Sequence, residues 1–113
     1  MANAADSVLT QLRKGVLEYC AMAYLRSEPR YGLELASRLG QHKTLLDSDG
    51  TLYPLLARLR KANLVETEWR ESDSGPPRRY YRLTDQGREA LATFEATWAP
   101  FHRDVDAALE AAR

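Results

Sequence analysis

Arg58, Arg60 and Lys61 crowd one short stretch of this chain, and Arg78 and Arg79 form a second basic pair downstream. Guanidinium and ammonium groups placed this way can neutralise phosphate charge, and the hydroxyls of Tyr31, Thr51 and Tyr53 can donate to phosphates or base edges. Taken singly, each is more simply a solvated surface group; their grouping is what points to nucleic acid. Catalytic chemistry has little to rest on. His42 and His102 lack the ligand spacing of a zinc site and are expected to be solvated. No nucleophile elbow or glycine-rich phosphate loop accompanies the Ser, Asp and His residues. Asp104 and Asp106 read as solvated carboxylates. Cys20 reads as a small buried hydrophobe, since nothing near it lowers a thiol pKa. No enzyme, metal or cofactor is expected.

The elements that must position the basic groups follow from periodicity. Leu52, Leu55, Leu56 and Leu59 recur at helical spacing, leaving Thr51, Tyr53, Arg58 and Lys61 on the opposite face. Ser48 or Thr51 can cap this helix, and Pro54 favours a start near Thr51. Asn63 can adopt the left-handed conformation that ends it. Val65, Thr67 and Trp69 then alternate with Glu66, Glu68 and Arg70, the period of a half-buried strand. Gly75, Pro76 and Pro77 interrupt that pattern, so Ser72–Pro77 is expected to be a loop with a stiffened tip. Arg79, Tyr81 and Leu83 alternate with Tyr80 and Arg82 in a returning antiparallel strand. Helix, strand, basic loop and strand make the reading half of a winged helix-turn-helix, in a fold that is mainly α with a small β-hairpin.

Upstream, a first helix is expected over Val8–Arg26. Leu9, Leu12, Val16, Cys20 and Ala23 share one side, and Leu17, Ala21, Tyr24 and Leu25 widen the apolar surface. Such a helix needs cover on two sides, one from its own domain and one from a partner subunit. Tyr19 and Met22 are core residues. A short second helix runs from Arg30 or Tyr31 to about Gly40, burying Tyr31, Leu35 and Leu39. Gly32 either exposes amides to a phosphate or permits tight packing, and the two readings weigh equally. Gln41–Asp47 is a polar connection anchored by Leu45 and Leu46. Thr84 caps one long helix to Arg113, in which Leu91, Phe94, Trp98, Phe101, Val105, Ala108 and Ala112 follow steps of three and four. That is the seam of a short coiled coil, which has nothing to pack on within one small domain. Pro100 should kink it just after Trp98. The expected organisation is a DNA-binding domain over 8–84 and a dimerisation helix over 85–113.

GTLYPLLARL followed by LVETEW and SGPPRRYYRLT, with RKGVLEYCAMAYL and PRYGLEL upstream, resembles the PadR family of bacterial transcriptional regulators. The resemblance runs from about Leu12 to the end of the chain. Arg60 stands where the family usually has an acidic residue, and Asn63 where it usually has Gly. The resemblance implies a homodimer in which the C-terminal helix lies against the partner's first helix. Leu9, Leu12 and Val16 would then meet Leu91, Phe94, Trp98, Phe101 and Val105. It also implies a place for an aromatic effector, because drug-sensing members stack a flat ligand between paired tryptophans where this chain has Trp98. Phe94 and Phe101 would wall that space, with Met22 or Tyr19 as further candidates. The alternative, that Trp98 only fills a packed dimer core, stays open.

The 113 residues allow one domain, and 44% hydrophobic with 28% charged residues is an ordinary globular composition. A lone cysteine excludes an internal disulfide and suits a reducing cytoplasm. MANAADSVLTQL lacks the charged start and apolar run of a signal peptide, and no stretch approaches the ~18 apolar residues of a membrane span. Net charge is zero but split: thirteen Lys and Arg against ten Asp and Glu through Leu83, and three against six from Thr84 onward. A basic phosphate-facing end and a separate assembly end fit that split. A helix carrying Thr51 and Tyr53 at its leading end can enter the major groove. Arg58, Arg60 and Lys61 would meet phosphates, and Arg78 and Arg79 the minor groove or adjacent backbone. The expected function is a homodimeric, sequence-specific repressor of an inverted-repeat operator, with a winged-helix module binding protein instead of DNA as the competing class.

Overall fold

Gly15 decides how the chain begins. The computed structural model describes residues 3–46 and 48–113. Met1 and Ala2 of the N-terminal stretch, and Asp47 at the end of the polar connection, lie outside the described residues. Arg13–Val16 follow the pattern of a type II turn: Lys14 lies at φ −61°, ψ 126°, Gly15 at φ +76°, and the Val16 amide donates to the Arg13 carbonyl at 3.0 Å. Glycine takes that positive φ at no steric cost. The one helix expected over Val8–Arg26 is therefore two, α1 (Ala4–Arg13) and α2 (Leu17–Ala23). This also explains the wide apolar circumference. α2 buries Leu17, Ala21 and Met22, whereas α1 buries nothing and leaves Val8 and Leu12 exposed.

Arg30–Tyr31 form a short strand, β1, and do not open the second helix. Tyr31, extended at φ −87° and ψ 163°, precedes α3 (Gly32–Gly40). A two-residue strand carries no pattern of its own; its partners, Tyr81 and Tyr80, lie far along the chain. Arg30 is buried, and its Nε donates to the Tyr24 carbonyl at 2.6 Å. That bond ties the end of α2 to the sheet. Leu46 is buried and Leu45 packs on the core, anchoring the connection as expected.

Helix α4 (Asp49–Lys61) starts two positions before Thr51, with Ser48 as its cap, Oγ accepting from the Gly50 amide at 3.2 Å. Pro54 thus stands inside the helix. The carbonyl it leaves without a donor is that of Gly50, in the exposed first turn where water can serve instead. At the other end Asn63 takes φ 63°, the Leu64 amide donates to Leu59 at 2.9 Å, and the Asn63 amide donates to Arg60 at 3.0 Å. This is a Schellman ending, with Asn in the place usually held by Gly.

Strands β2 (Val65–Ser72) and β3 (Gly75–Leu83) pair antiparallel, with the sheet ordered β1-β3-β2. The expected loop Ser72–Pro77 shrinks to Asp73 and Ser74, because Ser72 already pairs with Gly75. Pro76 and Pro77 are tolerated in β3 because they lie opposite a register shift between Arg70 and Ser72. On its other side β3 pairs with no strand there among the described residues, since β1 reaches only Tyr80 and Tyr81.

Thr84 caps α5 (Asp85–Ala111): its Oγ1 accepts from the Gly87 amide at 3.0 Å and donates to the Asn63 carbonyl at 2.7 Å. The helix continues through Pro100 for ~40 Å at 1.5 Å per residue. Among its described residues only Gly87 and Leu91 are buried, so most of its length stands clear of the core.

Candidate nucleic-acid interface

The outward side of α4 is built differently from a simple two-faced helix. With Leu52, Leu55, Leu56 and Leu59 buried, a rotation of about 100° per residue places Gly50, Pro54, Ala57 and Lys61 on the outermost stripe. Thr51 and Arg58 occupy one flank of that stripe, Tyr53 and Arg60 the other. All of these are exposed. The four groups expected on a single face, Thr51, Tyr53, Arg58 and Lys61, are thus divided between a crest and two flanks.

On the Tyr53 flank the surface is continuous with α3 and the hairpin. The Tyr53 ring lies against Gly32, where an added Cβ would stand 2.6 Å from Cε1. Gly32 is buried, so it serves packing and not an open amide cradle. Next to it, the Arg78 guanidinium lies 4.5 Å over the Tyr31 ring, and Tyr31 meets Tyr80 edge-on at 5.5 Å. Tyr31, Tyr53 and Arg78 therefore line one surface from three elements.

Arg79 does not belong to it. Successive strand residues point to opposite sides of a sheet, and Arg79 lies 5.5 Å over the Trp69 ring. Its Nε is buried with no hydrogen-bond partner among the described residues. The expected basic pair at the wing is two residues on two faces.

Charge pairing separates the arginines further. Arg82 bonds Glu66 at 3.0 Å, and Arg70 bonds Glu68 at 2.7 Å. The Arg70 hydrogen bond, aided by the Arg70 and Arg82 charges, holds the Glu68 carboxyl below the usual range. By contrast Arg58, Arg60 and Lys61 have no carboxylate within ion-pair distance among the described residues. Their charge is uncompensated. Lys14 shares that property, which the sequence does not show, because RKG falls within the single helix expected over Val8–Arg26.

Most of the other candidate residues lie on α1 and α5. Leu9, Leu12 and Val16 line a groove of about 610 Å³ together with Trp98, Phe101 and Val105. Trp98 is 39% exposed, Phe101 58% and Val105 42%. Phe94 is half-buried and stacks on Tyr19 at 4.3 Å, with Trp98 next in the row at 5.7 Å. Leu91 departs from the expected seam: it is buried in the core of its own chain, because the first turns of α5 pack on α2. Met22 is likewise fully buried and cannot wall the groove. His102 is not simply solvated, being half-buried with its ring 5.6 Å from Trp98 and its Nδ1 3.7 Å from Asp106. His42 is exposed but shares a 2.7 Å hydrogen bond with the Tyr24 hydroxyl. Cys20 is half-buried, and burial pushes its thiol pKa up, consistent with a packing role.

Helix-turn-helix α3–α4 followed by a two-stranded wing defines a winged-helix DNA-binding fold, here extended by a long C-terminal helix. Residues 22–93 match the transcriptional regulator PadR-like family. The chain belongs to that family and is a transcriptional regulator. It is 39% identical over 75 residues to the transcriptional regulator Rv3488 of Mycobacterium tuberculosis, covering 66% of this chain and 68% of that protein. A PadR family regulator from Eggerthella lenta superposes with TM-score 0.78 at 38% identity, covering 92% and 90% of the two chains. A PadR-like regulator from Bacillus cereus gives TM-score 0.78 at 39% identity over 88% and 96%. No helix among the described residues is long and apolar enough to cross a membrane.

Proposed function

We propose that this regulator acts in the cytoplasm as a homodimeric repressor, with one α4 entering the major groove in each half of an inverted-repeat operator. The observation that carries the DNA face is the uncompensated charge of Arg58, Arg60 and Lys61 on a helix whose neighbours Tyr31, Tyr53 and Arg78 form a continuous donor surface. A helix of ~10–12 Å diameter fits a major groove ~12 Å wide. The exposed apolar side chains of α1 and the distal half of α5 support assembly, since Leu12, Trp98, Phe101, Val105 and Leu109 lack cover in one chain. A module that binds protein in place of DNA would have no need to keep these cations free of carboxylates.

Selection from random duplex DNA tests this. It should return an inverted repeat with half-sites roughly one turn, ~34 Å, apart. Binding to that site should weaken steeply as salt rises, because each phosphate contact contributes a slope of about −0.9 in log K against log salt. Absence of duplex binding at low salt would end the DNA reading.

The groove beside Trp98 supports a second element of the proposal, release by a planar aromatic effector. An indole face offers area and quadrupole attraction to such a compound. Phe101 and Phe94 stand on either side of Trp98 along the helix. Quenching of tryptophan fluorescence by planar aromatic compounds, lost in Trp98→Ala, tests this element.

A further inference from the structure

We infer that the turn between α1 and α2 holds a DNA backbone phosphate through Lys14, giving the reading helix a second wall. The inference rests on the DNA-binding proposal above and adds a residue and an element to it.

Two strands of backbone flank any helix seated in the major groove. The structure supplies a wall on the Tyr53 side of α4, made by the start of α3 and by Arg78 of the hairpin. On the opposite flank, that of Thr51 and Arg58, the neighbouring element is the Lys14–Gly15 turn. Between them runs a groove of about 510 Å³, lined by Thr51, Pro54 and Arg58 on one side and by Arg13, Lys14 and Glu18 on the other. Its three cations outnumber its single carboxylate.

Those cations differ in their commitments. Arg13 is occupied, its Nε donating to the Thr44 carbonyl at 2.8 Å. Lys14 is exposed, and like Arg58 it has no carboxylate partner among the described residues. Its position second in the turn projects it from a backbone that the Arg13–Val16 bond and Gly15 hold rigid. A phosphate entering from the mouth of the groove would meet the Lys14 ammonium from one side and the Arg58 guanidinium from the other. Such contacts fix register and affinity without reading sequence.

The test compares Lys14→Gln with Arg103→Gln, an exposed α5 cation also without a carboxylate partner among the described residues, on the selected operator and on an unrelated duplex. Lys14→Gln changes both protomers of the dimer, so it should lower the salt slope by about two and weaken both duplexes alike, about sixtyfold at 0.1 M salt. Arg103→Gln should keep the wild-type slope. Neutral methylphosphonate scanned along the operator should then reveal one position per half-site that weakens wild type more than Lys14→Gln, in which only the Arg58 contact is left to lose. A wild-type slope in Lys14→Gln, or an equal loss in both variants, overturns the Lys14 contact and leaves the DNA reading intact. Failure of the wild type to bind any duplex overturns both.

Discussion

Gly87 shows how much a single hydrogen can decide. A Cβ there would stand 2.0 Å from the Leu64 carbonyl oxygen, which already accepts the Thr84 amide at 3.1 Å. Since the obstructing atom is backbone, neither neighbour can rotate away, and α5 would have to lift from the end of α4. Gly87→Ala should destabilise the protein by about 2 kcal/mol, lowering its melting temperature by roughly 10 °C. Thermal denaturation followed by circular dichroism reads this directly; an unchanged melting point would mean that α5 is not seated there. Arg78 and Arg79 make the complementary point, since adjacent identical residues receive different surroundings. Arg78→Ala, present in both protomers of the dimer, should weaken duplex binding and reduce the salt slope by about two. Arg79→Ala should leave that slope near the wild-type value and change Trp69 emission instead. Equal losses from both variants would contradict the division of the wing into two faces.

At the scale of elements, the hairpin and the junction between α4 and α5 act as one unit. Asn63 ends α4, bonds Gln86 through its side chain at 2.6 Å and offers its carbonyl to Thr84. The wing is thereby held at both ends, by Leu64–Val65 following Asn63 and by Leu83–Thr84 leading into α5. The type II turn at Gly15 divides labour in a similar way. α2 completes the core of the reading domain, while α1 leans towards α5 and leaves its apolar residues uncovered. Arg13 and Lys14 line both the groove against α4 and the groove against Trp98, so the turn adjoins the two proposed binding surfaces.

For the whole molecule, the uncovered surface is the main driving force left unspent. Exposed Phe101 and Val105 on α5 face the same groove as Leu9 and Leu12 of α1. Burying the roughly half of each such side chain that is still exposed stabilises by about 1 kcal/mol apiece. Sedimentation at micromolar concentration should therefore find a dimer, and Phe101→Asp should shift it to monomer. Planar aromatic compounds should quench fluorescence of the wild-type dimer, and Trp98→Ala, with Trp69 intact, should abolish the response. Quenching that persists in that variant places the ligand elsewhere, and silence across a broad panel would leave Trp98 as packing. A folded wild-type monomer would end the assembly reading.

Helix α4, the two wing strands and the long C-terminal helix were legible in the sequence, because their signals are local: leucines at helical spacing, strict alternation, and Thr84 before an acidic first turn. The family resemblance was legible for the same reason. Three features came only with the tertiary structure. β1 exists through pairing with distant Tyr80 and Tyr81, and two residues show no period. The break in the first helix looks continuous in apolar pattern, and a single Gly signals either tolerance or a turn until its φ is known. The partition of basic residues depends on pairing across the fold. Arg70 and Arg82 are neutralised by Glu68 and Glu66, whereas Lys14 is brought beside Arg58 by a turn more than forty residues earlier in the chain. Charge is written residue by residue, but which charges remain free is settled only when distant elements meet.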